Sequence, residues 1–357
     1  MAAPANESTG GISLGAELHP IRYWENPRPE EIADQFEDFL LQLEGPIWIY
    51  QQGRDSSRCR VASALIHGNE PSGFHAIHRW LRTGLQPAVD LYFFIGATKA
   101  AQALPLFSNR HLPDQRDLNR CFRPPFNDEN GQIAAECLHR MSSVQPEAVI
   151  DIHNTSGAGP CFAVACNNDR RHQAITRLFC NRLIITDIRL GALMEFEEQF
   201  TVTTIECGGA HDPQAHEVAW RGLKQFASQG QLFSEQAELD ALEVFRQPLR
   251  VELFSKYELA YGESVNEQAD LTLVHDIERY NFGTVPANTH LGWLGPQGLN
   301  ALVVRDSQGI SHTHQYFRSD ANELQTNADL KLFMITKNSK IAKADCLFYL
   351  VPAEAPA

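Results

Sequence analysis

The sequence has no excess of positive charge: 30 lysines and arginines stand against 44 aspartates and glutamates, a net charge of −14 at pH 7 over 357 residues. That balance argues against nucleic acid or an anionic membrane surface as the partner, because both recruit proteins through basic patches. An anionic substrate would have to be drawn in by local arginines against the overall field. No apolar run approaches the ~20 residues a membrane-spanning helix needs. The eight cysteines (Cys59, Cys121, Cys137, Cys161, Cys166, Cys180, Cys207 and Cys346) form no Cys-x-x-Cys pair. They read as reduced thiols, several of them core packing, with Cys161 and Cys166 packed on one strand rather than ligating a metal. Residues 1–20 offer neither a basic n-region nor an apolar h-region, so they read as a flexible leader and not a signal peptide. The expected location is the cytoplasm. There is no internal repeat.

What is present is ordinary globular material, 43% hydrophobic and 21% charged, in a chain long enough for one large domain or two ordinary ones. Apolar residues at helical spacing predict helices over Ile32–Glu44, Ser72–Leu81, Asp128–Ser143, Asp169–Arg182 and Asp212–Gln229. Short apolar runs predict strands over Pro46–Tyr50, Cys59–Ile66, Leu91–Ile95, Ala148–Ile152, Cys161–Cys166, Leu183–Ile188 and Val202–Glu206. Strands alternate with helices to about residue 233, the pattern of an α/β domain with a mostly parallel sheet. After the acidic stretch Ser234–Leu242 the texture changes to short strand candidates: Leu249–Phe254, Leu271–His275, Ala301–Val304, Leu330–Ile335 and Leu347–Val351. The expected organisation is therefore an α/β domain over 21–240 and a smaller β-rich domain over 241–357. A long connection runs from Ile95 to about Phe126, and loops of that length are usually functional or disordered.

Chemistry-bearing residues collect at predicted strand ends. The first strand runs into His67-Gly68-Asn69-Glu70, another closes on His153 within Asp151-Ile152-His153-Asn154-Thr155, and a third closes on Glu206. Open α/β sheets present their ligands at the carboxyl ends of strands. Two histidines and a carboxylate with a fourth position open to water are the composition of a catalytic zinc site. A further carboxylate that does not ligate the metal is what that water needs as a general base, and Glu206 fits by position, with Gly208 and Gly209 after it leaving room for close approach. Inside the long loop, Asn119 and Arg120 offer amide and guanidinium donors to a substrate carboxylate. Each motif alone has a plainer reading: a polar turn, a hydrogen-bonding histidine, a glutamate paired to an arginine. Their coincidence at the strand ends of one domain favours the joint one. His75, His78, His211 and His216 read as packing, surface or supporting residues, and His312 and His314 as alternating along a strand.

In this order, His67-Gly68-Asn69-Glu70, then Asp117-Leu118-Asn119-Arg120 with Phe122, then Asp151-Ile152-His153-Asn154-Thr155, then Ile205-Glu206-Cys207-Gly208, the chain resembles the succinylglutamate desuccinylase/aspartoacylase family of zinc carboxypeptidase-like hydrolases. The resemblance spans the α/β part, and His275-Asp276-Ile277, Asn281-Phe282 and Gly292 resemble the family's second domain. It implies a zinc-carboxypeptidase-like mixed sheet flanked by helices. It implies one Zn2+ per chain, held by His67, Glu70 and His153, with Glu206 as catalytic base. Asn119 and Arg120 would hold a substrate carboxylate, and Asp117 would brace their loop. Arg110, preferred to Arg116, would steady the oxyanion. The family's distal arginine and second-domain tyrosine have no clear counterpart; Arg189, Tyr257, Tyr261 and Tyr280 are the candidates. The implied activity is zinc-dependent deacylation of an N-acyl amino acid or similar small amide, in a chain able to form homo-oligomers. Two other readings stay open: a zinc carboxypeptidase or cell-wall peptide hydrolase, and a non-catalytic zinc- or ligand-binding protein on the same scaffold. The sequence also leaves other divalent metals open.

Overall fold

The computed structural model describes residues 20–196, 199–233, 242–344 and 346–353. The expected leader lies outside the described residues apart from Pro20, as does most of the acidic stretch from Ser234 to Leu242.

The α/β part is built on strands β1 (Arg22–Glu25), β2 (Ile47–Gln51), β3 (Asp55–Ala64), β4 (Val89–Ile95), β5 (Ala148–Thr155), β6 (Phe162–Ala165), β7 (Arg182–Ile185), β8 (Val202–Gly209) and β9 (Glu243–Arg246). They form one sheet in the order β1-β2-β4-β3-β5-β8-β6-β7-β9. Only the β2–β4 and β6–β8 pairs are antiparallel, so the sheet is mixed and mostly parallel. Its centre, β3-β5-β8, is parallel throughout, and β5 is buried along its whole length. A strand covered on both faces reads as a near-continuous apolar run rather than an alternation, as Ala148–Ile152 does apart from Asp151.

Six helices flank the sheet: α1 (Phe36–Gln42), α2 (Ser72–Thr83), α3 (Thr98–Gln102), α4 (Glu129–Val144), α5 (Arg170–Arg177) and α6 (Pro213–Ser228). Helices α2 and α6 share one face with Phe39, Phe74, Trp80 and Phe226 in a common core. On the other face α4 and the segment around Phe122 enclose Trp48, Phe94 and Met141. Asp128 and Asp212 cap α4 and α6, accepting from Gly131 N at 2.7 Å and Gln214 N at 2.9 Å.

Two expected helices are shorter than their periodicity predicts. The helix expected from Ile32 begins only at Phe36, because Ile32 is extended and buried beneath a preceding turn at Pro29–Glu31. The helix expected to Arg182 ends at Arg177, and the Phe179 ring beyond it presses on Gly222 of α6. The long connection after β4 is ordered, containing α3 and a 3-10 turn at Leu118–Arg120.

The C-terminal part is β-rich: β10 (Leu249–Leu253), β11 (Leu259–Gly262), β12 (Leu271–Val274), β13 (Thr284–Val285), β14 (His290–Leu294), β15 (Leu302–Arg305), β16 (Phe317–Asp320), β17 (Glu323–Thr326), β18 (Leu330–Phe333) and β19 (Phe348–Pro352). They make two five-stranded sheets, β13-β18-β19-β10-β15 and β11-β12-β14-β17-β16, around a core of Leu253, Leu273, Leu332, Phe348 and Leu350. Most of the second of these sheets is not evident in the sequence: its strands are four or five residues long, and β14 is broken by Gly292 where its pairing with β17 shifts register. His312 and His314 lie at a short helical turn, Thr313–Tyr316, rather than along a strand. The large sheet extends to β9, so we propose that the two domains divide at Gln247–Pro248, between β9 and β10. The contact between them is aromatic: Phe162, Ile184 and Phe245 of the large sheet meet Phe333 and Val351, with Phe282 stacked on Phe333 at 5.5 Å.

Helix α2 sits unusually close to the sheet. A Cβ on Gly73 would lie 2.8 Å from Ile152 Cβ and 2.9 Å from Ala64 Cβ, both rigid positions on β5 and β3. Gly73→Ala is therefore expected to destabilise the fold by about 1–3 kcal/mol through overpacking, despite the gain in helix propensity. Gly45→Ala, with nothing within 4 Å of the new atom, is expected to be nearly neutral. Denaturant midpoints of the two variants check this.

Candidate active site

Strand β3 stops at Ala64, three residues short of His67. Leu65 then takes a left-handed backbone, φ 51°, although it is fully buried. Such a conformation costs a bulky residue energy and persists only where its surroundings enforce it. The chain turns through Gly68, whose Cβ would fall 2.6 Å from both Ala101 N and Asn109 O, so no other residue fits there. Glu70 N donates to His67 O at 3.2 Å and α2 starts at Ser72. This tight turn puts His67 and Glu70 side by side above the carboxyl end of the sheet.

His153 arrives from β5, and the three side chains converge. Glu70 Oε1 lies 2.8 Å from His67 Nδ1, and Glu70 Oε2 lies 2.7 Å from His153 Nδ1. All three are buried, and one donor atom from each lies within 4.8 Å of the others. Each imidazole is fixed from behind: His67 Nε2 faces Asp117 Oδ1 at 3.0 Å, and His153 Nε2 faces Asp151 Oδ2 at 2.7 Å. Carboxylates that hold the far nitrogen of an imidazole set its orientation and raise its basicity as a ligand. Ser63 donates to the same buried Asp151 through Oδ1. Two Nδ1 atoms and a carboxylate are a donor set that suits zinc.

The charged groups of the cluster hold one another in their ionised forms. Burial alone would push the Glu70 carboxyl up, but the flanking His67 and His153 imidazoles outweigh it and hold it well below the usual range. Burial would likewise lower His153, yet Asp151 and Glu70 raise it well above its ordinary value. Asp117, half-buried, is held far down by His67, Arg110 and Arg120.

Asp117 organises the neighbouring loop. Its Oδ1 accepts from Asn119 N at 2.8 Å and its Oδ2 from Arg110 Nε at 2.9 Å. Arg110 also reaches Glu70 Oε1 at 3.5 Å. Arg116, the other arginine considered for this place, turns away to Asp128 Oδ1 (2.9 Å) and Pro125 O (2.9 Å). Asn119 Oδ1 accepts from Leu193 N at 3.1 Å, which leaves the amide N–H groups for a ligand, and Arg120 Nη1 donates to Asn119 O at 3.0 Å.

Glu206 stands opposite His153 in the β5–β8 register, next to a bulge between His153 and Thr155. Its Oε2 is buried with no hydrogen-bond partner among the described residues. Burial, helped by the nearby Glu70, pushes its carboxyl up to about 7 against the pull of His153, His67 and Arg110. A carboxyl with a pKa near neutrality is matched to exchanging protons with substrate. Of the two glycines after it, Gly208 (φ 113°) passes close to Gly159 O, whereas Gly209 has ordinary space around it.

These groups line one cavity of about 140 Å³, together with residues from both domains. The C-terminal part contributes Phe333, Met334 and Tyr349. None of Arg189, Tyr257, Tyr261 and Tyr280 is among the lining residues. Arg189 bonds Cys166 Sγ at 3.1 Å, Tyr261 donates to Thr336 O at 2.8 Å, Tyr280 accepts from Arg279 at 2.8 Å, and Tyr257 packs on the C-terminal core. Tyr349 escapes the sequence reading because Leu347–Val351 looks like plain core. The signal is the alternation that turns Phe348 and Leu350 into the C-terminal core and Tyr349 the other way. The remaining histidines stay outside: His78 Nε2 contacts Ala33 O at 2.8 Å, and His75 stacks on His216 at 5.2 Å.

Residues 60–212 match the family model for the succinylglutamate desuccinylase/aspartoacylase catalytic domain. That stretch is a catalytic domain of this family. The chain's fold is shared by a succinylglutamate desuccinylase/aspartoacylase from Rhodobacter sphaeroides, at 16% identity over 82% of this chain and 83% of the other, TM-score 0.51. It is also shared by the product-bound ectoine utilization protein EutE (DoeB) from Ruegeria pomeroyi, at 15% identity over 86% and 85%, TM-score 0.52. A third such structure, a desuccinylase from Vibrio parahaemolyticus, covers 90% of this chain and 95% of its own at 11% identity, TM-score 0.56. These likenesses extend the shared fold beyond the catalytic domain. No curated protein matches the chain.

His153→Ala is expected to lose the zinc that the cluster would take up, read by elemental analysis after zinc loading and dialysis. Asp151→Asn keeps the ligands but not the orienting carboxylate, and is expected to weaken metal affinity by about 10–100-fold. Unchanged affinity in both variants would place the metal elsewhere.

Proposed function

We propose that the chain is a zinc-dependent amidohydrolase that removes the acyl group from an N-acyl amino acid or similar small amide, with one metal ion per chain held by His67, Glu70 and His153. The observation that carries this reading is the buried, unpartnered Oε2 of Glu206 in the cavity that the triad also lines. A zinc ion in such a triad lowers the pKa of water towards ~7 and polarises a carbonyl. Asn119 and Arg120 grip the substrate carboxylate and fix the scissile amide over the triad. Glu206 accepts the proton of the attacking water and returns it to the departing nitrogen. Arg110, held by Asp117, supplies positive charge beside the oxygen that becomes anionic. The apolar lining from the second domain keeps bulk water from the reacting atoms.

Glu206→Gln is expected to keep its metal and to lose about 10²–10⁴-fold in kcat. Near-normal turnover in that variant would remove Glu206 from the role of base. Arg120→Ala is expected to raise KM for a carboxylate-bearing substrate by roughly 10–100-fold with a smaller change in kcat. Steady-state kinetics on N-acyl amino acids and the matching amides separates the two effects.

A further inference from the structure

The cavity is unevenly charged. Beyond the imidazoles of the triad, Arg110 and Arg120 are the cations among its lining residues. Arg110 is matched by Asp117 and Glu70. Arg120 makes no ion pair among the described residues, and its Nη1 bonds only a backbone carbonyl. None of the residues outside the described set is a lysine or arginine, so no further cation can come from them. The site therefore has one guanidinium to spare for a substrate anion.

One side of the wall is mostly apolar, while Thr155, Ser156 and Thr204 add neutral hydroxyls elsewhere. Ile184, Ile188, Leu190, Met194, Phe333 and Tyr349 line the apolar side, from β7, the segment after β7 and the second domain. Two polar side chains on this side, Glu195 and Thr186, are already engaged within the protein. Glu195 Oε1 accepts from the backbone N–H groups of Leu190, Gly191 and Ala192 at 2.6, 2.7 and 3.0 Å. Thr186 Oγ1 accepts from Ile188 N at 3.1 Å. Arg189, between two lining residues, is turned to Cys166 Sγ and Thr186 O.

We propose that the substrate carries a single carboxylate and an otherwise apolar body: Arg120 and Asn119 take the carboxylate, and the wall formed by Ile184, Ile188, Leu190, Met194 and Phe333 takes a hydrocarbon group. This rests on the N-acyl amino acid reading above and names its substrate class. A second carboxylate, on the acyl chain or on the amino-acid side chain, would be stripped of water against this wall with no cation to meet it. It would also share the cavity with Glu206 and Glu195. Burying an unpaired charge is among the most costly events in a protein interior.

The test compares N-acetyl-leucine, N-acetyl-phenylalanine and N-hexanoyl-glycine with N-acetyl-aspartate and N-succinyl-leucine. Zinc-loaded wild type is assayed for kcat/KM, and zinc-loaded Glu206→Gln for binding by calorimetry. A second carboxylate is expected to lower both kcat/KM and affinity by about 100-fold, wherever on the molecule it sits. Ile188→Arg and Met194→Lys, which place a cation on the wall, are expected to narrow that gap by at least tenfold. Hydrolysis that favours the dicarboxylates overturns this inference and leaves the deacylase reading standing. Absence of hydrolysis across the panel, with the apolar monocarboxylates still bound best, overturns the deacylase reading and keeps the apolar pocket. A gap unchanged in both wall variants overturns the assignment of the wall.

Discussion

Much of the site depends on one carboxylate. Glu70 divides its two oxygens between His67 and His153, which arrive from different strands, and in doing so ties the turn after β3 to the end of β5. Everything close by serves that geometry. Gly68 permits the turn, Gly73 permits α2 to lie against both strands, and Asn154 N donates to the same Glu70 oxygen at 3.2 Å. Asp117 and Asp151 close the arrangement from outside, each holding the far nitrogen of one imidazole. Three carboxylates and two imidazoles share this crowded space, and their mutual attraction holds Glu70 and Asp117 low and His153 high against the cost of burial.

Glu206, the proposed base, stands apart from this cluster. It sits in register with His153, close enough to feel the triad's charges, but its Oε2 has no hydrogen-bond partner among the described residues. One carboxylate is therefore depressed and the other raised within a few residues' width of sheet. Environments that push two acids apart in this way divide the roles of ligand and proton carrier between them. The sheet supplies the placement: β3, β5 and β8 are parallel neighbours, and the connections leaving the carboxyl ends of β3 and β5 run to opposite sides, to β4 and to β6, opening a crevice between them.

How much of this is legible in the sequence follows from how local each feature is. His67 and His153 are readable because each closes an apolar run, Glu70 because it stands three residues after His67 in a polar turn, and the structure brings the three together. Asn119 and Arg120 are readable as a polar pair inside a long loop, and that loop comes to the cavity with Arg110. The brace from Asp151 to His153 sits two residues away on the same strand and still gives no sequence signal, since an alternating strand would place both on one face for many reasons. The wall is harder. Ile184, Leu190, Phe333 and Tyr349 come from segments far apart in the chain, and nothing local says that these hydrophobic residues face a cavity rather than a core. The short strands of the second domain are hidden for a related reason: four residues with a glycine or a bulge carry too little pattern to register. Helix ends err where tertiary packing overrides periodicity, as at Ile32 and Phe179.

The central claim is that His67, Glu70 and His153 form one metal centre, with both imidazoles binding through Nδ1 because Asp117 and Asp151 hold Nε2. Anomalous diffraction from zinc-loaded crystals tests it directly. The account predicts a single strong peak per chain about 2.0–2.2 Å from His67 Nδ1, His153 Nδ1 and a Glu70 oxygen, with Glu206 outside bonding distance. A peak that includes Glu206 as a ligand, that contacts Nε2 of either histidine, or that lies away from Glu70 would contradict it.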